Sequence, residues 1–425
     1  MKKLIVFGSF LIFTLPNLHA QKIIGNWKGS ISVNGIDLPI VFHFNKSSSG
    51  EISGNWDSPK QNANGLPYSS VEATDDSLHV EIKMINGSYE GKFVGEDSIT
   101  GMWTQQGHSL PLNFARTNVN EQTQNEPVTL PGEKEISITS AGGSKLYGTL
   151  LSKNNQQPVA IIIAGSGPTD RNGNSTMGPA TNEYRMLAQS LDSQNIATFR
   201  YDKRGIAKSA YGGMQESDLV FDDYVKDAEK IFDYLHDTLG FKNIYFIGHS
   251  EGSLIGILAS EKRKVKGYIS VAGAGRPIDE VLEEQMQKQP LPDSVKQQIP
   301  QIFSQLKNGQ QVNNVPPQLN ALFRKSIQPY LISWLKYSPQ KEIKKLNCPI
   351  LILQGSCDFQ VKELDAKNLH EANTKSKLDI IPNMSHTLKN AGPNCANENQ
   401  TYTDGTMPLD NRLVEDIAKF IKARK

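Results

Sequence analysis

Ile244-Tyr-Phe-Ile-Gly248-His249-Ser250-Glu251-Gly252-Ser253-Leu254-Ile255-Gly256-Ile257-Leu258-Ala259 is the stretch that decides how this chain folds. An apolar run of strand length, Ile244–Ile247, meets a helix-capable run, Ser253–Ala259, across a short segment flanked by glycine on both sides of Ser250. Small residues two before and two after the serine let the chain reverse sharply. The spacing therefore predicts strand, tight turn and helix, with the Ser250 hydroxyl exposed above a sheet on strained backbone. A bare Gly-x-Ser-x-Gly arises easily by chance; the strand before and the helix after make this one specific. A serine that merely capped the helix would not need glycine on both sides.

Working outward, the same alternation continues on either side. Val159–Ala164, Ile196–Tyr201, Tyr268–Ala272, Ile350–Gln354 and Leu378–Ile381 are short apolar runs. Tyr184–Gln194, Val220–Leu239, Glu363–Ala372 and Arg412–Ala423 carry helical spacing between or after them. Strands alternating with helices predict a mostly parallel sheet covered on both faces over residues 135–425. Residues 276–347 interrupt the rhythm with helical runs at Ile278–Gln287, Ser294–Lys307 and Pro317–Leu335. In such a sheet a helical cap insertion of this kind lies above the strand carboxyl ends, where ligands bind.

The front of the chain reads differently. Residues 21–117 are short alternating segments, with Asn34-Gly35 between Ser30–Val33 and Leu38–Phe44, and Asn86-Gly87 between Leu78–Ile85 and Ser88–Val94. Asn-Gly between alternating runs is a strong hairpin signal, so a small antiparallel all-β barrel or sandwich is expected. Gly25-Asn-Trp27, Gly54-Asn-Trp56 and Gly101-Met-Trp103 repeat a Gly-x-Trp unit, read as core aromatics or, alternatively, as a stacking platform for a sugar. Residues 118–134 are polar and aperiodic, a linker. Residues 1–20 combine Lys2-Lys3, an apolar run Leu4–Leu15, Pro16 and a terminal Ala20, the pattern of a secretory signal peptide. The expected location is therefore exported, periplasmic or secreted, with no integral membrane segment left after the signal is removed.

Charge excludes several partners. With 45 basic and 44 acidic side chains the formal charge is +1, which supports neither nucleic acid nor an anionic membrane as a bulk electrostatic partner. Three cysteines, Cys348, Cys357 and Cys395, are too few for a disulfide scaffold or a metal knuckle. They allow one disulfide and one free thiol; Cys348 with Cys395 is one pairing left open, and Cys357 reads as packing.

A serine hydroxyl becomes nucleophilic when a base takes its proton and an acid orients that base. Downstream of Ser250 only His370 and His386 are available. His370 falls inside a helix, whereas His386 follows the strand Leu378–Ile381 in a loop, so His386 is the expected base. Asp358 directly follows the strand Ile350–Gln354 and is the expected acid, ahead of Asp365 in a helix and Asp379 in a strand. An oxyanion needs two fixed donors. The amide of Glu251 at the helix start is one, and the loop Gly165-Ser166-Gly167-Pro168 offers the other, Ser166 before Gly167. Tyr330 and Trp334, four apart on one helical face of the insertion, line the acyl pocket or pack on the core. Asp170, Arg171 and Asn172 read as a loop held by its own Asx and Arg hydrogen bonds or, alternatively, as substrate contacts, and Asp202 with Arg204 as a pair fixing the next turn. No metal and no organic cofactor is implied.

Gly248-His-Ser-Glu-Gly252, the downstream Asp358 and His386, the loop Gly165-Ser-Gly-Pro-Thr-Asp-Arg-Asn-Gly173 and Arg200-Tyr-Asp-Lys-Arg-Gly205 together resemble the α/β-hydrolase superfamily. They are most similar there to bacterial exported serine hydrolases of the serine aminopeptidase-like and dienelactone hydrolase-like branches. The resemblance covers residues 135–425 and implies an exported serine hydrolase cleaving a small-molecule carboxylic ester through an acyl-enzyme. A serine peptidase or aminopeptidase with the same triad is the alternative. Ten basic against six acidic residues between Arg276 and Lys345 lean toward esters. A third reading, of another class, is a carbohydrate- or envelope-binding protein working through the β domain.

Overall fold

Two hydrophobic patterns produce two units, Met1–Pro127 and Val128–Lys425. The computed structural model describes residues 22–423 apart from 34–35, 47–51, 59–62, 83–84, 86, 106–107, 118–129, 141, 176–179 and 210–214. The expected signal segment 1–20, the Asn34-Gly35 turn and most of the linker lie outside the described residues.

In the first unit, period-two alternation gives nine strands: β1 (Gly25–Val33), β2 (Ile36–Lys46), β3 (Ile52–Ser58), β4 (Ala63–Pro67), β5 (Ser70–Ala73), β6 (Ser77–Ile82), β7 (Gly87–Val94), β8 (Ser98–Gln105) and β9 (His108–Thr117). They form one antiparallel, barrel-like sheet in the order β4-β3-β2-β1-β9-β8-β7-β6-β5. Its core holds Phe42, Tyr89 and Phe114 together with Trp27, Trp56 and Trp103, which are only 0%, 4% and 3% exposed. The Gly-x-Trp tryptophans are therefore core aromatics, and the stacking platform is overturned: buried indoles offer no face to a sugar. The second hairpin also differs from expectation. Ile82 pairs with Gly87, so Gly87 lies within β7 rather than in a turn. Ile85 packs back onto the core, and Asn86 of the expected turn lies outside the described residues.

In the second unit, β10 (Glu133–Thr139), β11 (Lys145–Leu151), β12 (Val159–Ile163), β13 (Ala197–Tyr201), β14 (Ile244–His249), β15 (Gly267–Val271), β16 (Ile350–Gly355) and β17 (Lys377–Ile381) form one sheet. The order is β10-β11-β13-β12-β14-β15-β16-β17. All pairings from β13 to β17 are parallel, whereas β10 and β11 form an antiparallel hairpin. That hairpin begins at Glu133, inside the stretch read as linker; its alternation is too short to stand out from the polar residues before it.

Successive side chains of a strand face opposite sides. Ile161 and Ile163 enter the core packed by α2 (Phe221–Asp233) and α3 (Glu251–Lys262). Ala160 and Ile162 enter the other, with α1 (Glu183–Ser193) and the C-terminal helix Asn411–Lys422. The run read as one helix, Val220–Leu239, is α2 followed by a π turn at Tyr234–Thr238. The insertion is helical but more broken than its periodicity implied. Pro300, Pro317, Pro329 and Pro339 each fall in the first turn of a separate short helix. A proline lacks the amide that a continuing helix would need, so each one starts a new segment.

Candidate active site

The site forms where β12, β14, β16 and β17 end. Ser250, between β14 and α3, has φ 54° and ψ −119°, and its amide donates to Val271 O at 3.0 Å. The flanking glycines are required by close approach. A Cβ on Gly248 would sit 2.2 Å from Gly252 O, and one on Gly252 would sit 2.2 Å from Ile163 O. Any side chain at either position would push α3 off the sheet.

Asp358 and His386 come together after β16 and β17. Asp358 Oδ2 lies 2.8 Å from His386 Nδ1 and accepts from Gln354 Nε2 at 3.0 Å, while Oδ1 accepts the amides of Gln360 and Val361 at 2.9 Å. Burial alone would raise the Asp358 carboxyl, but the His386 charge and the hydrogen bonds hold it below its ordinary value. Burial pulls the His386 imidazole down; the adjacent carboxylate outweighs it and lifts the ring above its ordinary value. The competing candidates are engaged elsewhere. His370 Nδ1 pairs with Ser376 Oγ, Asp365 accepts from Gly275, Arg276 and Lys362, and Asp379 pairs with Arg412.

The residue inside the motif, His249, was not singled out by sequence reasoning. Its Nε2 is 2.9 Å from His386 O and its Nδ1 is 2.8 Å from Tyr184 Oη. Burial, helped by the His386 charge, lowers its pKa to about 3, so the ring is neutral. Lys203 was also missed. Its ammonium, fully buried, donates to Gly165 O at 2.5 Å and to Glu251 Oε1 at 3.1 Å. Its place in the strand-following run Tyr201-Asp-Lys-Arg was the available signal, since strand ends converge on the site.

Ser166, Ser250 and Glu251 share a pocket whose apolar wall includes Leu254, Ile278, Val281, Leu282 and Trp334. The Ser166 amide has no acceptor among the described residues. Glu251 opens α3, where the first amides have no carbonyl one turn back. Gly167, the second choice for a donor, does not line the pocket. Arg276 does, yet its guanidinium is occupied by Asp365 through Nε and Nη2, at 3.0 and 2.8 Å, and by Glu284 through Nη1 at 3.0 Å.

Three expectations are corrected. Tyr330 does not line the pocket; it is 6% exposed and packs against Phe221, Tyr224 and Trp334, so only Trp334 of that pair faces the cavity. Asp202 and Arg204 do not pair with each other. Asp202 accepts from Arg171 Nη2 at 2.7 Å and Arg204 Nη2 donates to Asp227 Oδ1 at 2.6 Å, tying the turn to the 165–175 loop and to α2. Each carboxylate instead takes two bonds from a guanidinium that the fold brings to it, Asp202 from Arg171 and Asp227 from Arg204. Cys357 is not simply packing: it forms a disulfide with Cys395, Cα atoms 5.4 Å apart. The Cys357 amide donates to Met384 O, which draws the loops carrying Asp358 and His386 together. Cys348 is free, its thiol pushed up to about 11 by burial. The loop 170–174 holds itself, with Asp170 Oδ1 accepting the amides of Asn172 and Asn174.

Among the described residues no group of three or more His, Cys, Asp or Glu side chains is placed to hold a metal ion, and no helix is long and apolar enough to cross a membrane.

Residues 176–328 match the family model described as serine aminopeptidase, S33. Esterase EstD of Thermotoga maritima is 25% identical over 296 residues, covering 68% of this chain and 67% of that protein. Among solved structures, the Pyrococcus furiosus esterase Pf2001 superimposes with a TM-score of 0.48 at 16% identity, over 72% of this chain and 96% of its own. Est1E from Butyrivibrio proteoclasticus with ferulic acid bound gives 0.45 at 19% identity, over 68% and 98%. Strand order, the serine on its strand-to-helix turn, the buried Asp358–His386 pair and the sequence relatives agree: the chain is a member of the α/β-hydrolase superfamily.

Proposed function

We propose that this chain is an exported serine hydrolase cleaving a small, uncharged carboxylic ester, with Ser250 as nucleophile, His386 as base and Asp358 as its orienting acid. Ser250 Oγ bonds to the carbonyl carbon while its proton passes to His386. The carbonyl π pair moves onto oxygen, where the amides of Ser166 and Glu251 receive it. The returning electron pair expels the alcohol, which takes the proton from His386 and leaves an acyl-enzyme. Water repeats the sequence to release the acid. The observation that carries this reading is the buried Asp358–His386 contact, with His386 O 2.9 Å from the ring of His249, the residue before the strained Ser250.

The esterase name of the 25% identical relative supports an ester substrate. The match to a serine aminopeptidase family favours a second reading, a peptidase on the same triad. An aminopeptidase needs a free carboxylate for the substrate ammonium. Among the described residues Glu251 is the only acid lining the pocket, and it is paired with Lys203. Esters are therefore preferred. Export is supported by the basic-apolar leader and by the Cys357–Cys395 disulfide, which belongs to an oxidising compartment.

The test is hydrolysis of p-nitrophenyl esters beside aminoacyl-p-nitroanilides, in the parent and in Ser250→Ala. Ester turnover lost by at least a thousandfold in a folded Ser250→Ala variant is expected. Activity within tenfold of the parent, or a fluorophosphonate label on another serine, would overturn the assignment. Faster turnover of the anilides would make it a peptidase.

A further inference from the structure

We propose that Lys203 and Tyr184 are positioning residues that clamp Gly165 from both sides and so hold the Ser166 amide on the oxyanion. This rests on the acyl-transfer reading above. Gly165 N donates to Tyr184 Oη at 3.0 Å, and Gly165 O accepts from Lys203 Nζ at 2.5 Å. The two peptide planes flanking the Gly165 Cα are thus each fixed by a buried side chain.

The consequence follows from peptide geometry. Gly165 C=O and Ser166 N–H belong to one trans peptide unit and point in opposite directions. A cation held on the carbonyl side therefore aims the Ser166 N–H away from Lys203. Ser166 lines the pocket beside Ser250, and a Cβ on Gly165 would lie 3.2 Å from Ser250 Cβ. Positive charge on the carbonyl oxygen also draws electron density through the amide, which strengthens the N–H as a donor. Without the clamp this loop is free to rotate, because glycine populates both signs of φ and Gly167, two residues on, sits at +81°.

Both clamp residues also reach the rest of the site. Lys203 pairs with the side chain of Glu251, whose own amide is the other oxyanion donor, so one ammonium sets the spacing between the two donors. Tyr184 Oη lies 2.8 Å from His249 Nδ1. With the hydroxyl proton directed at Nδ1, the neutral ring carries its proton on Nε2 and donates it to His386 O at 2.9 Å. Gly165 N, Tyr184 Oη, both ring nitrogens of His249 and His386 O are then each hydrogen-bonded. The oxyanion loop and the backbone of the base share one rigid chain of bonds that passes through the residue preceding the nucleophile.

The experiment compares Lys203→Met, Lys203→Met/Glu251→Gln and Tyr184→Phe with the parent on p-nitrophenyl butyrate, each normalised by its burst of nitrophenol. The double variant removes the lone buried carboxylate that Lys203→Met would leave. Tyr184→Phe keeps the ring in place and tests the clamp even where the lysine variants do not fold. Losing the lysine should lower kcat by about 10²-fold with KM within threefold, the signature of a lost oxyanion donor. Tyr184→Phe should lower kcat by about tenfold, since it frees one buried amide. The inhibition constant of phenylboronic acid, whose tetrahedral adduct places an oxygen in the oxyanion hole, should rise by the same factor as kcat falls. Loss of folded protein alone would leave that constant unchanged. An unchanged boronate constant, or kcat within threefold of the parent in a folded variant, would overturn the clamp while Ser250-dependent hydrolysis stands. If the parent showed no Ser250-dependent ester turnover, the functional reading would fail and the clamp with it.

Discussion

Asp358 and Cys357 are neighbours in the chain with two different long-range ties: the carboxylate reaches His386 Nδ1 at 2.8 Å and the thiol is bonded to Cys395. The loop after β16 is thus pinned twice, once by the contact that orients the imidazole and once by a covalent bond beside it. A short loop held this way keeps the carboxylate in one orientation, which an orienting acid requires.

Asp358→Asn should lower kcat by about 10⁴-fold, because an amide in place of the carboxylate favours the wrong imidazole tautomer. Asp365→Asn should instead show up in stability. It removes the charge that faces Arg276 in a largely buried pair and should cost about 3 kcal/mol in urea unfolding, with a far smaller loss of kcat. If Asp365→Asn were the variant that crippled turnover in folded protein, the acid would be misassigned.

In the proposed mechanism the neutral His386 ring takes the serine proton, and the neighbouring carboxylate raises that ring above its ordinary 6.5. The kcat/KM profile should therefore climb with pH along a limb whose midpoint lies above 6.5, and Asp358→Asn should move the midpoint down. The stability linkage has the opposite sense. A raised folded-state pKa stabilises fully below the unfolded value and the contribution disappears as pH rises through the folded one. The stability gap between parent and Asp358→Asn should accordingly narrow from mildly acidic to mildly alkaline pH. A limb midpoint below 6.5 in the parent would contradict the pairing.

Cys357 and Cys395 are 38 residues apart, and the loop they close contains both Asp358 and His386. Replacing both cysteines with alanine should lower stability by about 3–4 kcal/mol, the loop-closure entropy for that span. Turnover in the parent should fall when a reductant is added and should not fall in the double variant. Equal sensitivity in both proteins would place the effect elsewhere, and the free thiol of Cys348 would be the next site to replace.

Trp334→Ala enlarges the pocket and should shift the preference among acetyl to decanoyl esters toward longer chains, with turnover of the acetate ester changed less than about tenfold. Tyr330→Ala opens a hole in the core instead. It should lower stability by about 3–5 kcal/mol and leave the shape of the chain-length profile intact. A shifted profile in Tyr330→Ala with unchanged stability would return that ring to the pocket.

The chain alone was enough for the parts of this protein that depend on local pattern. Strand–helix alternation specified the sheet, and the glycines around Ser250 specified the sharp turn. Asp358 and His386 were legible because each lies in the loop after an apolar strand, and strand ends converge above such a sheet. What only the tertiary structure decided are pairings between residues far apart in sequence. Arg171 meets Asp202 across 31 residues, Cys357 meets Cys395 across 38, and Lys203 meets Glu251 across 48. Periodicity places an element and says which face is apolar, but many charged residues and both other cysteines were eligible partners for each. The choice among them is made by how the elements pack, which also turned Tyr330 into the core and Trp334 toward the cavity. A side chain's partner is a property of the space it folds into, and that space exists only once the sheet and its helices are assembled.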